Sequence, residues 1–381
     1  MILSSVLAAL AGLSFALGVW QWLVGRRFPI RTIQHKAGDF HPAISILKPL
    51  KGCDAETEAC LESWFRQEYP GEIQLLFGVT SPDDPVCGLV RRLISKYPKR
   101  ETELVIASPV LGTNAKVSTL CYLATKARHE HLVVSDADVF IPTDFLPTLV
   151  QGLAQKSVGI VNCLYIQAGT KTLPMRIEAV AGNADFWTHV LQAATLKPMD
   201  FALGAVMALR KEDLAGIGGF EVLLNYLADD FELGRRIASK GKSLEICTTP
   251  VECRAEQYGW KQMWQHQVRW GRTIRVCRPV AYFFSILGNG TVWPLLALTT
   301  ASSVGKIILL SMLALRMLGA VSNYARLTGR REWWVAWVTP LQDIGQAAVW
   351  FVSFPGNKIV WRGEHYRVNT KGELRKLTQN A

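Results

Sequence analysis

The first 25 residues, Met1 to Gly25, contain no charged side chain, and Arg26 and Arg27 close the run. As a helix rising 1.5 Å per residue it reaches about 37 Å, enough to cross a hydrocarbon core of about 30 Å. A cleaved signal peptide places its positive charge before the apolar stretch. Here Arg26, Arg27, Arg31 and Lys36 follow it, so residues 1–25 are expected to remain as a membrane anchor with residue 26 onward in the cytoplasm.

The same constraint returns near the other end. Pro279 to Gly305 is uncharged, Ile307 to Leu315 and Met317 to Ala325 continue apolar around Arg316, and Trp333 to Phe354 is apolar apart from Asp343. Gly288, Gly290, Pro294 and the polar group Gln342, Asp343 and Gln346 make these stretches poor simple spans. The expectation is one crossing hairpin followed by an interfacial or re-entrant segment. Arg326, Arg330 and Arg331, and the tail residues Lys358, Arg362, Arg367, Lys371, Arg375 and Lys376, favour the cytoplasmic side. The formal net charge of +11 is thus concentrated beside apolar segments, where anionic lipid headgroups account for it better than nucleic acid does. The 49% hydrophobic content excludes intrinsic disorder and a plain soluble fold. The eight cysteines are single and spaced for neither a disulfide scaffold nor a zinc site, as expected for buried small hydrophobes in a reducing compartment.

Between these ends, residues 40–278 alternate short β-type runs with helical patterns. Ala43 to Leu47, Ile73 to Thr80, Glu103 to Ala107 and His131 to Ser135 read as strands; Glu56 to Arg66, Val86 to Tyr97 and Ala115 to Lys126 read as helices. The alternation predicts an α/β, doubly wound, mostly parallel sheet with helices on both faces. Ligands of such sheets bind beyond the carboxyl ends of the strands. Those ends carry Lys48-Pro49-Leu50-Lys51-Gly52, Ser81-Pro82-Asp83-Asp84-Pro85 and Asp136-Ala137-Asp138. No glycine-rich phosphate loop stands there, which argues against a dinucleotide enzyme or a P-loop ATPase.

Asp136 and Asp138, two residues apart at a strand end, can offer hard oxygen ligands on one side to Mg²⁺ or Mn²⁺. Asp229-Asp230 precedes an apolar stripe of helical spacing, Phe231, Leu233 and Ile237, and is either an acidic helix start favoured by the macrodipole or a carboxylate aimed into a cleft as a general base. Gly216-Ile217-Gly218-Gly219-Phe220 reads as a tight corner. Gln265-His266-Gln267-Val268-Arg269-Trp270-Gly271-Arg272 lies just before the membrane segments. It reads either as an interfacial helix with aromatic and basic anchors, or as a site where Arg269 meets a diphosphate and Trp270 packs beside an acceptor.

Taken in order, these residues resemble the ceramide glucosyltransferase family, glycosyltransferase family 21, including bacterial relatives that glycosylate hopanoid-type lipids. Three spaced aspartates followed by a (Q/R)-x-x-R-W motif are matched by Asp84, Asp136 and Asp230 and then by Arg269-Trp270, with His266 in the motif's first position. Ile46 to Gly52 resembles the family's opening strand and nucleotide loop, and Asn114-Ala115-Lys116-Val117 its N-x-K segment. The resemblance covers about residues 1 to 280. It implies a GT-A fold at residues 26–278, an anchor at 1–25, transmembrane or interfacial helices at 279–356 and a basic tail at 357–381. It also implies inverting transfer of a hexose from a UDP-sugar to a membrane lipid hydroxyl, ceramide first and a UDP-N-acetylhexosamine with a hopanoid-type lipid as the alternative, in a bacterial inner membrane.

By the same resemblance Asp230 is the catalytic base and Asp136 and Asp138 hold the divalent cation. Lys48, Pro49, Lys51, Asp84, Lys116, Asp136, His266, Arg269 and Trp270 line the donor and acceptor sites. Two other readings compete. A haloacid-dehalogenase-like phosphatase also uses D-x-D after a strand, but the first strand rather than the fourth, and an inactive lipid-binding scaffold would not fill every carboxylate position. The sequence carries no signature of an oligomeric state.

Overall fold

The chain begins with a single helix, Ile2–Arg27, and then builds a sheet from the apolar runs. The computed structural model describes residues 2–31, 40–361 and 363–377; Lys36 and Arg362 lie outside the described residues. The strands are β1 (Ile44–Pro49), β2 (Ile73–Val79), β3 (Glu101–Ile106), β4 (His131–Ser135), β5 (Val139–Phe140), β6 (Val158–Ala168), β7 (Val206–Arg210) and β8 (Ser243–Arg254). Their order is β3-β2-β1-β4-β7-β6-β8-β5. The first four are mutually parallel, joined by the helices Thr57–Phe65, Val86–Lys96 and Ala115–Lys126, as the sequence predicts. The second half is mixed: β7 runs antiparallel to both β4 and β6, whereas β6 and β8 are parallel.

β1 and β2 are buried along their whole length, as central parallel strands are when helices cover both faces. Alternation sends Ile44, Ile46, Leu75, Phe77 and Val133 to one core and Leu47, Leu76, Leu132 and Val134 to the other. After β6, the helix Leu173–Val180 passes through a π-helical turn, Ala181–Phe186, into the helix Trp187–Leu196. That turn is clasped by Asn183, whose amide donates to the Gln167 carbonyl at 3.0 Å and whose oxygen accepts from the Gln167 N–H at 2.8 Å.

Among the described residues two helices, Ile2–Arg27 and Ser303–Thr328, are long and apolar enough to cross a membrane, and Pro279–Gly288 with Val292–Leu298 forms a pair bent by 47° that makes up to a third span. The break falls at Asn289 to Thr291, beside the glycines that sequence marks as interruptions. The first helix packs on the Ser303–Thr328 helix through a 3.0 Å Trp22 to Ser322 hydrogen bond. It packs on the sheet domain at Gly25, where a Cβ would stand 2.9 Å from the Trp187 ring. Arg316, the charge inside an apolar run, grips two carboxylates: Asp185 of the π-helical turn at 2.8 and 2.9 Å and Asp343 at 2.6 and 2.9 Å. All three are mostly buried, so each interruption is answered by another.

The helix Trp334–Ser353 lies against the helices Leu173–Val180 and Trp260–Cys277. A small antiparallel sheet ends the described chain, with β9 (Lys358–Trp361) and β11 (Leu374–Lys376) on either side of β10 (Glu364–Val368). It is tied to the large sheet domain: the Leu227 N–H donates to the Gly372 carbonyl at 3.0 Å and the Leu374 N–H to the Asn225 carbonyl at 2.6 Å.

Candidate active site

The parallel strands deliver their carboxyl ends to one rim, and the sequence-marked residues collect there. Lys48 is wholly buried; its ammonium donates to Ser135 Oγ at 3.0 Å and to the Asp136 carbonyl at 2.7 Å, and sits 4.5 Å from the centre of the Trp64 ring. Burial pushes its pKa down to about 8 against the pull of Cys60, Asp138 and Asp136. It therefore locks β1 to the turn bearing the two aspartates rather than reaching outward, and Pro49 is buried beside it. Lys51 is exposed. Asp84 accepts the Gly52 N–H with both oxygens at 3.0 Å and the Val86 N–H at 3.0 Å, so it fixes the β1 loop, at a glycine with φ of +73°, to the start of the Val86–Lys96 helix.

Asp136 is half-buried and Asp138 exposed, in the turn between β4 and β5. The Lys116 ammonium reaches Asp136 at 2.7 Å and Asp229 at 3.1 Å. Burial opposes its charge, yet Asp136, Asp229 and Asp230 together hold its pKa above the ordinary lysine value. Asn114 caps that helix by accepting the Val117 N–H at 3.2 Å, and its amide donates to the Tyr226 carbonyl at 2.8 Å. One segment, Asn114 to Lys116, thus holds both the D-x-D turn and the loop leading into Asp229.

The helix Asp229–Ser239 splits its acidic pair. Asp229 is buried on Lys116, while Asp230 turns the other way and lines a cavity of about 1690 Å³. Burial first, then the Asp229 charge, push the Asp230 pKa up to about 6 against Lys116, in the range suited to a general base at neutral pH. The approach is tight: a Cβ at Gly204 would lie 2.7 Å from Asp230 Oδ2, and one at Gly234 would lie 2.4 Å from the Ala202 nitrogen.

The cavity runs from Asp230 and Trp270 to the first helix at Leu13 and Leu17 and to Met312 and Leu315 of the Ser303–Thr328 helix. Trp270 packs edge-on to Tyr165 and tilted on Phe186, while Arg269, one residue back, is half-buried. His266 does not stand free. Its ring lies tilted on Trp270, with centroids 4.6 Å apart, and its Nδ1 pairs with Glu178, a carboxylate that also accepts from Tyr258 at 2.6 Å and Gln267 at 3.0 Å. Gln346 closes the set on Gln267 at 2.7 Å. Glu178 and Asp185 have no signature in the sequence beyond being lone acids in apolar stretches.

Among the described residues no three His, Cys, Asp or Glu side chains group as metal ligands. The donor set nevertheless fits a hard cation of the Mg²⁺ or Mn²⁺ type, which is bound by one or two carboxylates and takes its other oxygens from substrate phosphates and water. Asp136 and Asp138 are two such carboxylates in one turn, Asp138 exposed and Asp136 half-buried with Lys116 at 2.7 Å.

The strand order, the D-x-D turn after the fourth strand and the paired acids on a following helix define a GT-A-type domain fused to apolar helices. The mannosyltransferase PcManGT from Pyrobaculum calidifontis has the same fold, with a TM-score of 0.54 at 19% identity over 91% of this chain and 98% of that one. The family model for glycosyl transferase family 21 matches residues 6–374, and the chain belongs to that family. Ceramide glucosyltransferase 3 from Caenorhabditis elegans is 26% identical over 213 residues, 55% of this chain and 46% of that protein. The ceramide glucosyltransferase of Candida albicans is 31% identical over 126 residues, 30% and 23% of the two chains. The chain therefore spans less than half the length of these relatives.

Proposed function

We propose that this protein is an inverting UDP-sugar:lipid hexosyltransferase, with glucose and ceramide as the favoured pair because its curated relatives carry that name. The observation that carries the reading is the single cavity connecting Asp230 to the apolar helices. A lipid entering between those helices meets a carboxylate whose raised pKa suits proton abstraction, at the edge of the rim where a nucleotide-sugar would lie.

In this reading Asp230 takes the proton of the acceptor hydroxyl as its oxygen attacks the anomeric carbon. The bond from that carbon to the diphosphate breaks, and UDP leaves from the opposite face, so configuration inverts without a covalent intermediate. Asp136 and Asp138 would hold a divalent cation, which supplies charge neutralisation at the diphosphate. Lys51, exposed at the rim, and Arg269, half-buried one residue before Trp270, are the cations for the phosphates. Asp84 acts by shaping the loop that seats the nucleotide, and Lys48, Pro49 and Lys116 by fixing the turns. His266 and Trp270 form the aromatic wall beside the acceptor.

The ends of the spans support a cytoplasmic catalytic domain. Arg26, Arg27, Arg330 and Arg331 lie at neighbouring helix ends, where Arg326 also donates to the Phe28 carbonyl at 2.9 Å, and the positive-inside rule puts that end in the cytoplasm. On this reading residues 1–25 anchor the domain at 26–278, the helices at 279–356 form the acceptor's entry, and the bilayer is a bacterial inner membrane. The test is a donor and acceptor panel. Purified protein in nanodiscs should convert ceramide with UDP-glucose to a hexosylated lipid of defined anomeric configuration, read by mass spectrometry and NMR. Product from UDP-N-acetylhexosamine and a hopanoid alone would overturn the choice of substrates.

A further inference from the structure

The C-terminal sheet has two chemically opposite faces. Ile359, Tyr366, Val368 and Leu374 are buried against Leu227, and the one ion pair of the sheet among the described residues, Lys376 with Glu364 at 3.2 Å, lies on that same side by alternation. On the other face the register places Lys358 opposite Arg367 and Arg367 opposite Arg375. Three cations are thereby set in one row across three strands, about 10 Å from end to end at the usual strand spacing. All three are exposed, and none pairs with an acidic group among the described residues. Directly opposed like charges weaken a sheet, so the fold gains nothing from this row by itself.

The row follows a membrane-type feature within a few residues. Phe283, Phe284 and Phe351 are 52%, 55% and 70% exposed, and Phe283, Trp350 and Phe354 contact one another ring to ring, just before Lys358. Exposed apolar rings of this kind suit burial at the boundary of headgroups and acyl chains, and Trp350 is of the type enriched at that level. Arg272 and Arg275 donate to the Lys358 and Gly356 carbonyls, which holds the start of β9 against the helix Trp260–Cys277.

We infer that the Lys358, Arg367 and Arg375 row is a docking face for anionic phospholipid headgroups of the bilayer that the adjoining aromatic cluster enters. The inference rests on the membrane placement proposed above but not on the transferase chemistry. Each cation near an anionic leaflet adds attraction that salt screens, so the face acts as a salt-sensitive contact.

The test is native mass spectrometry of the detergent-solubilised full chain with equimolar phosphatidylglycerol and phosphatidylcholine. The wild type should retain phosphatidylglycerol in preference, and Lys358→Gln, Arg367→Gln and Arg375→Gln combined should lower that preference at least fivefold. Arg330→Gln with Arg331→Gln should leave most of it. Equal retention of both lipids by the wild type would overturn the inference, and this holds even if the triple variant folds poorly. An unchanged preference in a folded triple variant, or binding of a single-stranded oligonucleotide that phosphatidylglycerol does not displace, would also overturn it. Because lipid retention is read without turnover, a protein inactive in transfer yet selective for phosphatidylglycerol separates this inference from the proposed reaction.

Discussion

Asp230 and Asp229 are neighbours in sequence with opposite surroundings, and in the proposed reaction those surroundings divide their tasks. Asp229 is neutralised by Lys116, whereas Asp230 faces the cavity with its pKa raised to about 6. If Asp230 is the base, kcat should rise with pH through about 6 and level off above it. Stability should move the other way. An aspartate titrates near 3.9 when unfolded, so between about pH 4 and pH 6 the folded state binds the extra proton and loses stability as pH rises. Asp230→Asn removes that cost: its melting temperature should exceed that of the wild type above about pH 6, and the gain should vanish below about pH 4. A lower melting temperature at pH 8 would mean that the carboxylate is structural. Lys116→Met, by contrast, strands Asp136 and Asp229. Breaking a buried pair costs roughly 3–5 kcal/mol, and the partial exposure of Asp136 puts the expected loss toward the lower end, measurable by chemical denaturation in detergent.

At the scale of elements, the site depends on close approaches that only glycine permits. Gly204→Ala should push the Asp230 carboxylate aside and cut kcat at least tenfold while the Michaelis constant for the donor changes little. Gly234→Ala forces the Asp230 helix off the Ala202 backbone and should cost about 1–3 kcal/mol as an overpacking change. A Gly204→Ala enzyme of full activity would show that Asp230 tolerates displacement. The first four strands and their helices were legible in the sequence because each buried strand is a short apolar run followed by a helix of clear period. Past Phe140 the pattern fades: β6 is long, β7 reverses direction, and a π-helical turn shifts the helical period near Asp185. That Asp84, Asp136 and Asp138 stand at strand ends could be read from position, whereas position left Asp229 and Asp230 open and only the family resemblance singled out Asp230. The place of Lys48 and Asp84 at strand ends was legible but not their orientation, since only packing sends Lys48 inward and gives Asp84 the N–H groups of Gly52 and Val86. Glu178 and Asp185 could not be read, because their partners lie 80 or more residues away in sequence.

Across the whole molecule, the apolar helices and the sheet domain are packed as one body. The Arg316 cluster joins the Ser303–Thr328 and Trp334–Ser353 helices to the turn at Asp185, and the terminal sheet braces the loop before Asp229. Removing residues 358–381 should leave the protein membrane-inserted but lower transfer at least tenfold, because the Asn225 and Leu227 anchors go with it. Wild-type activity in that truncation would show that the loop holds itself. The most direct test of the central claim is the transfer rate of purified wild type and Asp230→Asn, with ceramide in nanodiscs and a saturating UDP-sugar, alongside donor affinity. The account predicts one UDP released per lipid glycosylated in the wild type. In Asp230→Asn it predicts a rate lower by roughly 10² to 10⁴, the scale of a general base, with UDP-sugar affinity nearly unchanged. Equal transfer by the two proteins would contradict it.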